Sequence, residues 1–214
     1  MPLELYASFS GGTVSNPIAT ILATLSNSGT QFACPTKPAE VRIFKPGAPY
    51  GELLTEDTAN PSSPAAGTWG YSGGMVRLGT ALKNGETAVA ISSGVKLFET
   101  QTTQNNKLMF IANSSDPKDK TKIQTVYLRN TDTNKQHVEI RITFEDFLPG
   151  EGASTSWCAI SEDGTNYSSS LSIESMAPGE IKTLYIRAVV PDNQQTLNYR
   201  DVYLRIESIE VSTL

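Results

Sequence analysis

The 214-residue chain is predicted to be all-β: a two-layer sandwich over its C-terminal half, preceded by a second β-rich domain with a long Pro/Gly-rich loop or arm. Three observations predict this. Apolar and polar residues alternate along several short stretches, most clearly His137 to Phe144, where Val138, Ile140, Ile142 and Phe144 share one phase, and Leu184 to Val190. Ser, Thr, Gly and Pro are plentiful and break every long stretch, which favours short strands over long helices. Turn residues recur at the spacing of a strand and its return, among them Asn84-Gly85, Asp163-Gly164 and Pro178-Gly179.

The elements follow in order. Leu3, Leu5, Ala7 and Phe9 alternate up to Gly11-Gly12, and Ile18 to Leu25 follows, giving two strands around a turn. Between Cys34 and Gly74, six prolines and several glycines punctuate the chain, and only Val41 to Phe44 reads as a strand. So long a stretch with little regular structure is expected to be functional or disordered, and its prolines favour an extended arm or loop that orders against a partner. Val76 to Leu82 and Thr87 to Ser92 flank Asn84-Gly85 and predict a hairpin. Val95 to Thr100 and Lys107 to Ala112 add two strands, and the polar run Ser114 to Lys120 marks a boundary between residues 1–116 and 121–214.

Beyond it, strands are predicted near Ile123 to Asn130, His137 to Phe147, Ser156 to Ile160, Tyr167 to Ile173, Ile181 to Val190 and Asp201 to Val211. This number of strands in one domain matches an immunoglobulin-like or fibronectin-III-like sandwich, with Trp157 in its core. In the last strand Val202, Leu204 and Ile206 share a phase that Ile209 and Val211 leave, so a bulge is expected near Glu207 and Ser208. An internal echo links Leu82 to Ile91 with Met176 to Ile186: an apolar residue, a Gly-Glu turn, then a strand. Tandem related sandwiches or convergent turn chemistry would each produce it.

Lys and Arg total 17 against 22 Asp and Glu, a net charge of −5, which argues against nucleic acid as a partner. No apolar run approaches the length of a membrane-spanning helix, and the N-terminus has no leader-like segment, so the expectation is synthesis in a cytoplasm with no membrane partner. Cys34 and Cys158 are expected to be free thiols.

Candidate chemistry is sparse. His137, the chain's one histidine, stands on the polar phase of its strand and reads as exposed. No serine lies in a nucleophile-elbow setting. Two cysteines and one histidine without ligand spacing predict no zinc site, and no cofactor is expected. The doublets Glu56-Asp57 and Glu145-Asp146 point to opposite faces of a strand, so neither makes a glycosidase pair. Glu162 to Asn166 offers oxygen donors for calcium, but a plain Asp-Gly turn is the expectation. Tyr50, Trp69 and Tyr71 are the candidate contacts for a neighbouring subunit or a glycan, with a core role for Trp69 as the competing possibility.

The run Trp157-Cys158-Ala159-Ile160-Ser161-Glu162-Asp163-Gly164, followed by Tyr167 to Leu171, Ala177-Pro178-Gly179-Glu180 and Tyr185 to Pro191, resembles the immunoglobulin-like modules of structural proteins in tailed-bacteriophage particles. The resemblance covers about two fifths of the chain. It implies a non-catalytic virion component of the neck, tail, baseplate or capsid decoration, made in the host cytoplasm and docking on copies of itself and other virion proteins. On that view deleting residues 55–72 would leave two folded domains and abolish assembly. The alternative is a carbohydrate-binding or adhesion module using exposed aromatics, whose glycan affinity Trp69→Ala would remove.

Overall fold

The computed structural model describes residues 3–48, 51–95, 121–147, 155–189 and 202–213. Among them the chain is all-β, as expected, with one turn of 3-10 helix at Thr155–Trp157. It divides into two compact units, but the division is not linear. The described residues of 20–93, with Phe147, form one unit, and the described residues of 3–19, 94–146 and 155–213 form the other. The first unit is therefore an insertion within the second, and residues 3–18 belong with the C-terminal half, against the expected division at 116–121. That polar segment, and the strands predicted at Val95 to Thr100 and Lys107 to Ala112, lie outside the described residues apart from Val95.

The sandwich unit begins with β1 (Leu3–Ser10) and β2 (Thr13–Pro17), a hairpin around Gly11-Gly12. It resumes after the insertion with β11 (Thr121–Asn130), β12 (Lys135–Asp146), β13 (Cys158–Ser161), β14 (Ser170–Met176), β15 (Ile181–Val189) and β16 (Val202–Ser212). One layer has the order β13-β15-β11-β1-β2, and in the other β12 runs between β14 and β16. β1 enters beside β11, with Leu5 opposite Leu128. This long-range pairing explains why a boundary set by local composition misplaced the N-terminal strand. Leu3, Leu5, Val126, Leu128, Leu184 and Ile186 from the first layer share a core with Ile140, Ile142, Leu204 and Ile206 from the second. Burying each of these side chains contributes about 1.5–3 kcal/mol, which fixes the faces of the strands. Trp157 and Cys158 belong to the same core.

The expected phase break is present at the expected level, but on the neighbouring strand. β16 continues regularly, while in β12 Glu139 and Ile140 stand opposite the single residue Ser208, and Glu139 adopts a φ of 51°. This bulge inverts the phase of β12. His137 thereby turns inward and is fully buried, which corrects its expected exposure. Ile209 and Val211, in regular phase on β16, turn outward and are 52% and 44% exposed.

The inserted unit contains β3 (Thr20–Ser26), β4 (Gln31–Ala33), β5 (Glu40–Phe44), β6 (Glu52–Leu53), β7 (Thr55–Glu56), β8 (Thr68–Ser72), β9 (Met75–Leu78) and β10 (Thr87–Ile91). The order β3-β10-β5-β6 forms one layer and β4-β9-β8-β7 the other. Val41, Ile43, Ala88 and Ala90 from the first enclose a core with Phe32, Trp69, Val76 and Leu78 from the second.

The hairpin predicted across Asn84-Gly85 does not form. The turn is there, with Glu86 N–H donating to the Lys83 carbonyl, but β9 pairs with β4 and β8, whereas β10 pairs with β3 and β5. Burial is the reason: Ala88, Val89, Ala90 and Ile91 are all fully buried, so β10 takes an interior position with a neighbour on each side. A hairpin does form around Gly73-Gly74, both at positive φ, joining β8 to β9.

Candidate functional site

Of the three residues predicted to make contacts, Tyr50 lies outside the described residues. Trp69 is 2% exposed, one of the largest side chains in the core of the inserted unit. Tyr71 packs against that core half-buried, and its hydroxyl donates to the Cys34 carbonyl at 3.2 Å. The structure does not bring Trp69 and Tyr71 together as an exposed platform. Their local sequence explains why: Trp69 and Tyr71 flank Gly70 on a strand whose Gly73-Gly74 turn returns directly into Met75-Val76-Arg77-Leu78.

The surrounding Pro/Gly-rich stretch is loop-rich, as expected, but residues 51–74 are folded into the unit rather than extended as an arm. Parallel pairing sets Glu56 opposite Trp69. The loop between β7 and β8 lies so close to Gly70 that a Cβ there would collide with the backbone of Pro61. The Asp57 carboxylate accepts N–H donors from Asn60 at 2.9 Å and Ala65 at 3.0 Å. These bonds, led by that from Ala65, hold its carboxyl below the usual carboxylate range.

The carboxylate doublets are divided among structural partners. Glu56 pairs with Lys37 at 2.8 Å, and Glu145 forms a two-pronged pair with Arg205. Asp163 is satisfied by its own turn: its carboxylate accepts N–H donors from Thr165 and Asn166 at 2.7 and 2.8 Å, the Asn166 amide and the Ser161 hydroxyl. These donors, the Asn166 N–H first, depress its pKa, and they occupy the oxygens that calcium would need. Cys34 and Cys158 are free, buried thiols, and burial pushes Cys158 up to about 12.

Sequence reasoning missed two groupings. The first is built around outward-phase residues of β1, β11 and β15. Tyr6 stands directly opposite Tyr127, and the Phe9 ring lies 5.4 Å from that of Tyr127. Tyr185 is opposite Thr125, and the Arg187 guanidinium sits 4.2 Å over the Tyr167 ring. Phe9, Ile123 and Val189 are 43%, 51% and 39% exposed. Burial and a hydrogen bond to Glu4 raise Tyr6 to about 12, keeping its hydroxyl protonated as a donor. The available signal was the second phase of β1, β11 and β15, in which Tyr6, Tyr127, Tyr185 and Arg187 alternate with the core positions, whereas Phe9 has the parity of Leu3 and Leu5.

The second grouping surrounds His137 at one end of the sandwich. Its Nε2 lies 3.2 Å from Asp132 Oδ2 and its Nδ1 2.8 Å from Ser208 Oγ. Glu210 is the cross-strand partner of His137 and forms an ion pair with Lys135 at 2.5 Å. Buried Asn130 fixes the neighbouring turns: its Nδ2 donates to the carbonyls of Lys135, Met176 and Ala177, while its Oδ1 accepts the Asp132 N–H at 3.0 Å. Ligand atoms of Asp132, His137 and Glu210 all lie within 4.8 Å of one another. Sequence spacing could not reveal the group, because Glu210 joins it only through the pairing of β12 with β16.

No protein-family model matches this chain, and no curated protein matches it either.

Proposed function

We propose that this chain is a non-catalytic structural component of a phage particle, in the neck, tail, baseplate or capsid decoration, that acts by self-association and docking to other virion proteins. The observation that carries the self-association is the apolar character of outward-facing strand positions in the sandwich unit. Ile123 and Val189 are diagonal neighbours on β11 and β15, and Ile209 and Val211 share the outward phase of β16. Exposed apolar residues grouped on regular strands suit association between rigid surfaces. The assignment to a phage particle rests on the sequence resemblance of residues 157–191 alone.

A second reading, a carbohydrate-binding or adhesion module, is favoured by the Tyr6, Tyr127 and Phe9 group, because aromatic faces beside polar groups suit sugar rings.

The test is the oligomeric state of the purified full chain, by light scattering and electron microscopy. A ring or lattice that Ile123→Glu or Ile209→Glu dissolves, without loss of thermal stability, supports the structural reading. A monomer at high concentration that binds glycans, and loses them with Tyr127→Ala, overturns it in favour of the second.

A further inference from the structure

We propose that Asp132, His137 and Glu210 form a binding site for a divalent transition-metal ion, zinc being the first candidate. The three side chains supply one imidazole nitrogen and two carboxylates, a donor set suited to a borderline cation.

The geometry is close to what an ion requires. Donors bound to one zinc at about 2.0–2.2 Å stand roughly 3.0–3.5 Å from one another. His137 Nε2 and Asp132 Oδ2 are already 3.2 Å apart. Glu210 stands on the same face of the layer, directly opposite His137, with a carboxylate oxygen within 4.8 Å of both donors. Its side chain is 42% exposed and held only by the ion pair to Lys135 among its described contacts, so a rotation brings it to the ion.

Two of the donors are fixed in advance. The Asp132 backbone is tied to buried Asn130, and His137 is fully buried with its ring held at Nδ1 by Ser208. That hydroxyl occupies the position of the outer partner that commonly orients a metal-bound imidazole. When Nδ1 donates to Ser208, the Nε2 lone pair faces the Asp132 carboxylate, an arrangement that a cation between them stabilises. Along β16 the inward phase runs Val202, Leu204, Ile206 and then Ser208 and Glu210, so the core-facing row changes from apolar to polar where His137 meets it.

Lys135 is a built-in competitor, since its ammonium neutralises Glu210 at 2.5 Å. The site therefore makes opposite predictions for two exposed substitutions that disrupt the same ion pair. Zinc titrated into the full chain, followed by calorimetry, should bind one-to-one. Glu210→Gln should weaken that binding by about tenfold or more, because a ligand is lost, while Lys135→Gln should tighten it by releasing the carboxylate. The chain has one histidine, so selective ¹⁵N-histidine labelling reports a single imidazole, and its Nε2 resonance should move as zinc is added. The proposal is overturned by the absence of saturable binding below about 1 mM. It is equally overturned by zinc binding that leaves the imidazole resonance in place, or by Lys135→Gln weakening the affinity as Glu210→Gln does.

Discussion

Lys83–Glu86 in the inserted unit and Ala177–Glu180 in the sandwich fold into turns with the same hydrogen bonds. In each, the glutamate N–H donates to the carbonyl three residues earlier at 3.1 Å, and the glutamate carboxylate accepts the N–H of that same residue at 2.8 Å. Gly85 and Gly179 take φ values of 80° and 75°. Neither turn closes a hairpin. The chain before Lys83 comes from β9 and continues into β10 in the other layer, just as β14 ends before Ala177 and β15 continues in the facing layer. The surroundings differ: β10 is buried from Ala88 to Ile91, whereas β15 alternates between core and surface. Local residues thus determine the turn, while the strands it joins are set by pairing outside it.

The largest expected effect separates the two units. Trp69→Ala removes the biggest side chain of the inserted core and should cost about 3–5 kcal/mol. Hydrogen exchange should show the loss concentrated in residues 20–93, with protection in β11, β12 and β15 retained. Equal loss in both units would break the division. Trp157, the remaining tryptophan, then reports the sandwich alone by fluorescence.

An intermediate effect depends on pH. Burial raises Cys158 to about 12, so the folded sandwich keeps the thiol neutral while the unfolded chain ionises near its ordinary value of about 8.5. Its contribution is complete below that unfolded value and is lost as pH rises toward 12, by up to about 1.4 kcal/mol per pH unit. Urea unfolding at stepped pH should show this slope, and Cys158→Ala should flatten it.

The smallest effect sharpens the comparison of the turns. Both glycines occupy the left-handed region, where alanine costs about 1–2 kcal/mol. A Cβ at Gly179 meets nothing within 4 Å, whereas one at Gly85 would lie 2.9 Å from Pro46 Cγ. Gly85→Ala should therefore lower the unfolding midpoint more than Gly179→Ala. Equal shifts would mean that the strain is wholly backbone in origin.

Legibility differed between the units for a physical reason. In the sandwich, β11, β12 and β15 each bury one face, so alternation marked them within a few residues. In the inserted unit, β6 and β7 have two residues each, too short to impose a period, and the five residues of β8 place Gly70 between Trp69 and Tyr71. The half-buried tyrosine group was hidden because the core phase alone marks a strand and the opposite phase carries no periodic signal of its own. His137 was misplaced because one bulge residue, Glu139, reverses every face before it, and no residue type announces that bulge.

The sequence by itself determined the all-β class, most strands of the C-terminal half and the chemistry of the turns, since each depends on neighbours a few positions apart. Only the tertiary structure decided that β1 pairs with β11, that Trp69 belongs to a core, and that Asp132, His137 and Glu210 converge. Those outcomes depend on strand partners far apart in the chain, chosen by the burial of whole faces rather than by the residues beside them.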